Sequence, residues 1–284
     1  MTRQLICFRF DVDTPRCLTH GMPALLDLAK ELDVRFTFYV NPGRAVLRRE
    51  LLKRGNPKQT VAPKLSGLRK LGFVEYVRVA TRNPVLSRID RDHTVERAVA
   101  EGHEVGLHGG HNHGEWQRYA HTWSEDKVRA EIEFGLDALK GLGVGAVSSF
   151  ASPGWNTPPG LAEILPEYGI NILADRHGLD RHTTDGAHTG HALQVSTTFT
   201  GEPGGVGYLE WLTAQGLGNE QSLSHFATQL DAGSEQYVAL YDHPCFAGIE
   251  GLPLLRMMVT HCHDAGVKVL TFSECARFGN VSHQ

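Results

Sequence analysis

Short β-branched and aromatic runs alternate with helical patterns along most of this chain, and that alternation limits its fold more than any other feature. "LICFRF" (5–10), "RFTFYV" (35–40), "HEVGLH" (103–108), "AVSSFA" (146–151), "INILAD" (170–175), "YVALYD" (237–242) and "VKVLTF" (267–272) read as strands. Helical candidates lie between several of them, at 21–32, 92–102, 124–143, 160–169 and 251–266. In the longest, Ser124 is the expected N-cap, and Val128, Ile132, Leu136 and Leu139 form an apolar stripe. Strand–helix alternation of this kind implies a mostly parallel sheet. About seven repeats favour an α/β fold closed as a distorted (β/α) barrel over an open sheet. The 284 residues suffice for one such domain over 1–284 with a full core.

Composition narrows the function classes. The chain is 41% hydrophobic and 21% charged with a formal net charge of −4, so no global charge excess points to nucleic acid. One segment departs from this average. Residues 44–88, within an insert at about 43–90, hold twelve Lys/Arg against Glu50 and Glu75, a net of +10, with leucines and valines interleaved. That pattern suits a helix lying on an anionic membrane surface, or a solvated crossover with core-facing leucines. Five cysteines (Cys7, Cys17, Cys245, Cys262, Cys275) form no CxxC pair. With no signal-peptide core in "MTRQLICFRFDVDTP" and no membrane-span run, the expected location is cytoplasmic, with reduced thiols.

Chemistry concentrates at two strand ends. In "FDVDT", Asp11 and Asp13 stand at i and i+2, so both point to one face of the first strand, at the rim where barrel enzymes keep their active sites. Such a pair suits a division of labour between a metal-bound carboxylate and a free base. "HEVGLHGGHNHGEW" brings His108, His111 and His113 to the same rim, while His103 points away along the strand. One aspartate plus two imidazoles, with the remaining positions open, makes a site for a catalytic divalent metal. His111 and His113 both remain candidates for the second imidazole. The histidines at 181–192 and 260–266 lack a supporting partner and read as structural or exposed.

Together, "FRFDVDT", "GHEVGLH…HGEW" and the downstream "YDHP" resemble the motifs of NodB-homology polysaccharide deacetylases (carbohydrate esterase family 4). Within that superfamily they are most similar to the formamido-arabinose–phosphoundecaprenol deformylase branch. The resemblance runs from Leu5 to about Glu274 and weakens over about 176–235. It implies that Asp11 is the catalytic base, that Asp13 and His108 bind metal, and that His243 is the general acid. The family spaces its metal histidines four apart, but position 112 is Asn. His113 keeps the branch's three-residue relation to Trp116, which favours it over His111. "FASPGWNTP" (150–158) resembles a groove-wall motif that often carries an arginine against the base; here Asn156 stands in that place, which leaves Arg176 as the substitute. Asp175 matches the aspartate that orients the acid histidine. Trp155, Trp116, Tyr241 and Arg176 are the expected substrate-binding residues; Tyr241 stands where the deformylase branch places its histidine.

The resemblance implies a metal-dependent hydrolase of a linear amide bond, removing a formyl or acetyl group from an amino sugar. The expected cofactor is one divalent ion, zinc first, with cobalt, nickel or manganese as alternatives. The expected substrate is polyprenyl-phosphate-linked, reached at the inner face of the membrane through the basic insert. The alternatives are a deacylase of a soluble amino sugar, glycoside natural product or cyclic amide, and a non-catalytic glycan- or lipid-binding relative. No nucleic-acid partner is expected, and the sequence carries no sign of oligomeric state.

Overall fold

The computed structural model describes residues 5–47, 81–177, 190–201, 206–232 and 237–281. Most of the basic insert, 48–80, lies outside them, as do 181–189 of the second histidine-rich stretch. Among the described residues, eight strands form one parallel sheet: β1 (Leu5–Val12), β2 (Thr37–Val40), β3 (Glu104–Leu107), β4 (Ser149–Phe150), β5 (Ile172–His177), β6 (Leu193–Thr197), β7 (Tyr237–Asp242) and β8 (Lys268–Val269). Their order is β6-β5-β4-β3-β2-β1-β7. Past β6 the chain bends onto β7, where Phe199 N–H donates to Ala239 O (2.9 Å) and Tyr241 N–H to Phe199 O (3.0 Å). The sheet thereby nearly closes into the expected distorted barrel. β1 meets β2 only from Arg9 upward, and β8 pairs with Leu5 and Ile6 below.

The helices are α1 (Met22–Glu31), α2 (Thr94–Ala100), α3 (His113–Tyr119), α4 (Glu125–Gly141), α5 (Leu161–Ile164), α6 (Tyr208–Ala214), α7 (Asn219–Ala232), α8 (Pro244–Ala247), α9 (Leu252–Asp264) and α10 (Phe272–Val281). Ser124 caps α4 as expected, its hydroxyl accepting from Lys127 N–H. Two strand expectations shift. The run at 267–272 pairs only over Lys268–Val269, because Glu274 accepts from the backbone and hydroxyl of Thr271 and starts α10 there. β6, "LQVST", joins the barrel where no strand was expected.

The two faces of β1 divide the molecule. Ile6, Phe8, Phe10 and Val12 face outward into the large core beneath the helices, where Phe10 meets Phe36 edge-to-face at 5.3 Å. Complete burial of such a ring is worth roughly 1.5–3 kcal/mol. Leu5 and Cys7 face inward, into a small core with Tyr39, Ala151, Ala174, Val195, Ala239 and Phe272. Phe272, at the start of α10, closes the floor of the barrel against Tyr39 (5.9 Å between ring centroids). Above that apolar floor the inward positions become Arg9 and Asp11, so the sequence of one strand sets a dry bottom and a charged mouth. None of the five cysteines, all among the described residues, is in a disulfide, and among the described residues no helix is long and apolar enough to cross a membrane.

His103 sits on the outer side of β3, as its exclusion from the rim requires. It is buried against Phe36 and Phe38, and its Nδ1 accepts from Phe36 N–H at 2.9 Å. Burial pushes its pKa from an ordinary 6.5 down to about 4. The native state therefore binds fewer protons than the unfolded chain between those values. The stability His103 contributes is full above pH 6.5 and is lost as pH falls towards 4, a span worth about 3 kcal/mol. In His103→Asn the amide oxygen keeps the acceptor but cannot titrate. Denaturant melts from pH 7 to 4 should show a shallower acid loss than the wild type by about that amount; parallel curves would refute the assignment.

Candidate active site

The first strand delivers three charged side chains to the mouth. Asp11 is buried, and Arg9 grips it with both ends of the guanidinium: Nε donates to Oδ1 at 3.0 Å and Nη2 to Oδ2 at 2.9 Å. Arg9 Nη1 also donates to Ala174 O (2.6 Å) on β5 and Thr197 Oγ1 (2.9 Å) on β6. The rings of Trp155, Tyr39 and Tyr241 surround the guanidinium at 4.6, 4.8 and 5.3 Å. Arg176 was the expected partner of the base. The guanidinium on Asp11 is Arg9's instead, two residues before it on the same strand face, while Arg176 sits in register with Ser196 on β6.

Asp13 lies one step higher, just past the end of β1, with its carbonyl held by Asn41 Nδ2 at 3.2 Å. Three imidazoles converge on its carboxylate. His108 Nε2 and His113 Nε2 approach Oδ1 at 3.1 and 3.2 Å, and His243 Nε2 approaches Oδ2 at 3.3 Å. Burial opposes ionisation of Asp13, but the three histidines outweigh it and hold its pKa well below the carboxylate range. His108 moves the other way: burial disfavours its charge, yet Asp11 and then Asp13 raise its pKa.

The geometry separates the two candidate histidines. His113 opens α3, with Asn112 extended before it and capping the helix through Glu115 N–H. The extended Asn112 absorbs the extra residue, so a spacing of five still returns the imidazole to Asp13. His111 turns outward instead. It is half exposed, stacks on Phe134 at 3.9 Å, and its Nδ1 lies 3.2 Å from Glu131 Oε2. Buried Glu131 also accepts from His111 N–H at 2.6 Å and pairs with Lys127, pinning the histidine loop from below. A Cβ at Gly110 would fall 2.3 Å from Glu131 Oε2, so that position has no room for a side chain.

Asp13, His108 and His113 fit a divalent metal. Their ligand atoms lie within 4.8 Å of one another. Asp13 Oδ1 and His113 Nε2 are buried with no hydrogen-bond partner, an arrangement that is costly unless a cation sits between them. His108 Nδ1 lies 2.7 Å from Ala151 O and donates to it, which leaves the Nε2 lone pair aimed at Asp13.

The wall opposite is the loop 152–157. Gly154 (φ 62°) and Trp155 (φ 59°) both adopt the left-handed region, which for a tryptophan is strained. Asp175 holds that turn from both sides: Oδ1 accepts from Ser152 N–H and Oδ2 from Thr157 Oγ1, each at 2.6 Å. Asp175 was expected to orient His243; its carboxylate is instead engaged in shaping the tryptophan turn. Trp155 faces Arg9 and meets Tyr241 edge-to-face at 5.2 Å. Trp116 was expected to contact substrate, but it is fully buried, and its Nε1 donates to Asn156 O at 3.1 Å. Asn156 returns the bond to Trp116 O, so it locks the wall onto α3.

His243 follows β7. Its Nε2 is 2.9 Å from the Tyr241 hydroxyl, and its Nδ1 is 3.7 Å from Glu210 Oε2 on α6. Tyr241 and His243 share a strand face, which brings both to the mouth. Burial, with Asp11 and Asp13 nearby, pushes the Tyr241 pKa well up and keeps its hydroxyl protonated. Three residues that contact the site were therefore not assigned from sequence. Arg9 had a signal, since it shares the face of Asp11 and Asp13 by the period of two. Glu131 and Glu210 had none, because each meets its partner only through folding.

The family model for polysaccharide deacetylase matches residues 1–173. A Shewanella sediminis protein named as a probable 4-deoxy-4-formamido-L-arabinose-phosphoundecaprenol deformylase is 27% identical over 176 residues, covering 60% of this chain and 56% of that protein. A Wigglesworthia glossinidia brevipalpis protein of the same name is 27% identical over 145 residues, 48% of each. The chain thus spans about half the length of the curated relatives it matches. Among solved structures, a Mycobacterium smegmatis protein provisionally named a polysaccharide deacetylase superposes with a TM-score of 0.62 at 16% identity, covering 100% of this chain and 92% of the other. The chitin deacetylase of Colletotrichum lindemuthianum gives 0.53 at 18% identity, covering 95% and 86%. Those two structures share the barrel, and the family match spans well over half the sequence: the chain belongs to the polysaccharide deacetylase family.

Proposed function

We propose that the chain is a metal-dependent amide hydrolase that removes a formyl or acetyl group from an amino sugar carried on a polyprenyl phosphate. The observation that carries the reading is the convergence, at one barrel mouth, of a carboxylate held by Arg9, a three-residue ligand set and a histidine at the same carboxylate as the ligands. Two further observations support the lipid-linked substrate: the names of the two curated relatives and the net +10 of residues 44–88.

Asp13, His108 and His113 are the residues to hold the ion. A bound divalent ion, zinc first, would supply Lewis acidity to a water and to an acyl carbonyl at this mouth. Asp11 is positioned to accept the water's proton. Arg9 fixes that carboxylate by both oxygens, so the base keeps one orientation through the reaction. His243, held by Tyr241, donates the proton that the departing amine requires. Trp155 presents an indole beside this machinery, a flat apolar surface suited to a sugar ring. Formyl and acetyl differ by one methyl, which a pocket discriminates by only about 1–3 kcal/mol, so both are tested.

Release of formate and acetate from N-formyl and N-acetyl amino-sugar polyprenyl phosphates checks the reading. Release should require added zinc, stop with chelator, and vanish in His113→Ala while His111→Ala retains most activity. Release only from the water-soluble sugar would replace the lipid-linked substrate. No release from any of them by zinc-loaded protein would favour a binding role.

Arg9→Met tests the base's partner. Removing the guanidinium leaves Asp11 buried without its counter-ion, and breaking such a pair costs about 3–5 kcal/mol. A fall in melting temperature should accompany the loss of turnover. An unchanged melting temperature would show that Arg9 does not hold Asp11 as described.

A further inference from the structure

We propose that Cys17 and Cys245 form a peroxide-sensitive dithiol beside the mouth, a site of oxidative modification at which the two thiols close to a disulfide. The chemistry of the pair is independent of the proposed amide hydrolysis. Only its effect on turnover rests on that reading.

Cys17 opens a single π-helical turn, Cys17–Gly21, a few residues after Asp13. Met22 N–H bonds back to Cys17 O, so Cys17 and Gly21 lie on one face of that turn. Against this face packs α8, which begins directly after His243. The two segments meet backbone to backbone: a Cβ at Gly21 would collide with Pro244 O and Cys245 N, and one at Gly248 with Gly21 O. Cys245 is thereby set beside Cys17, and the two thiols hydrogen-bond. Thr14 Oγ1 donates to the same Cys17 sulfur at 3.2 Å. Cys17 is fully buried and Cys245 partly exposed, so a small oxidant reaches the pair from the Cys245 side.

Hydrogen peroxide is the oxidant. The Cys245 thiolate attacks one peroxide oxygen and the O–O bond breaks. The hydroxide released takes up the thiol's proton as water, leaving Cys245 as a sulfenic acid. The Cys17 thiolate then attacks the Cys245 sulfur, the S–O bond breaks, and hydroxide leaves with the Cys17 proton as a second water. Two thiols are oxidised and one peroxide is reduced by two electrons. Burial opposes ionisation of Cys17, but the hydrogen bond from Cys245 outweighs it and holds this closing thiol below its ordinary range. Elsewhere burial decides: it pushes Cys7 well up, and Cys262 and Cys275 to about 12, so those thiols stay protonated and inert.

The bridge bears on the mouth through its two neighbours. A disulfide draws its sulfurs well inside hydrogen-bonding distance and competes with the bond from Thr14, which adjoins Asp13. On the other side, α8 holds His243, whose carbonyl accepts from Phe246 and Ala247 N–H at 3.0 and 2.9 Å. The glycine contacts leave the two backbones no room to slide, so the adjustment passes to Thr14 and His243. Misplacing reacting groups by about 1 Å costs on the order of 10²-fold in rate.

The test treats the folded, metal-free full chain with hydrogen peroxide, alkylates the remaining thiols in denaturant and maps every cysteine by mass spectrometry. The expected product is a peptide pair joined through Cys17 and Cys245, two hydrogens lighter than its parts and separated again by dithiothreitol. Cys7, Cys262 and Cys275 should all be alkylated. Cys245→Ser should abolish the joined pair and leave Cys17 a thiol. The oxidised chain, cleared of peroxide and loaded with zinc, should turn over the N-acyl amino sugar at least about tenfold more slowly, with recovery in dithiothreitol. Cys245→Ser should keep its turnover through the same treatment. A bridge between other cysteines, Cys17 and Cys245 both still alkylated, or Cys245 carried on to a sulfinic acid with Cys17 untouched would overturn the inference. Equal loss of turnover in Cys245→Ser, or none in the bridged chain, would overturn the link to the mouth. If the untreated wild type turns over no substrate, the hydrolase reading fails, and the peptide map alone still decides whether the pair closes.

Discussion

The guanidinium of Arg9 lies inside the barrel, and the mouth is organised around it. It is almost completely buried, and removing a charge from water costs several kcal/mol unless every donor finds a partner. Here Nε and Nη2 meet both oxygens of Asp11, and Nη1 meets β5 and β6 through Ala174 O and Thr197 Oγ1. Three aromatic faces enclose what remains. The pair fixes Asp11, ties β1 to strands on the other side of the barrel, and sets the surface on which Trp155 rests.

Below this layer the barrel is dry, filled by Cys7, Ala174, Val195 and Ala239 and closed by Phe272. Above it lie polar groups with opposed demands. Asp13 is ionised despite its burial because three imidazoles crowd it, and those imidazoles are kept apart by different anchors. His108 is held by Ala151 O, His113 by the start of α3, and His243 by Tyr241 and the residues around α6. The anchors come from separate elements, so no imidazole can turn without disturbing a loop or helix. Two buried atoms without hydrogen-bond partners, Asp13 Oδ1 and His113 Nε2, are where this rigidity leaves room for a cation.

Local patterns in the sequence were a good guide wherever one element carries the information. The alternation in "FRFDVDT" placed Asp11 and Asp13 on one face, and "HEVGLH" placed His108 at the same rim. The helices at 22–31, 125–141 and 252–264 follow their apolar periodicity closely. β6 was missed because "LQVST" alternates buried and half-buried positions over only five residues, with three of them polar. The partners of Asp175, Trp116 and Asp11 were not legible for another reason: a motif match carries a residue type to a position but not the partner it meets there. Thr157 and Ser152 claim Asp175, Asn156 claims Trp116, and Arg9 reaches Asp11 first. Glu210 lies in the segment where the sequence is least patterned, and its link to His243 exists only because the Asp242 carboxylate binds backbone amides of both α6 and His243.

The most direct test of this account is the anomalous scattering of zinc in crystals of the wild-type chain and of His113→Ala. One peak among Asp13 Oδ1, His108 Nε2 and His113 Nε2 in the wild type, absent in the variant, is the predicted result. A peak beside His111 and Glu131, a peak in the Glu210–Asp242–His243 cluster, or a wild-type mouth without zinc at saturating concentration would contradict it.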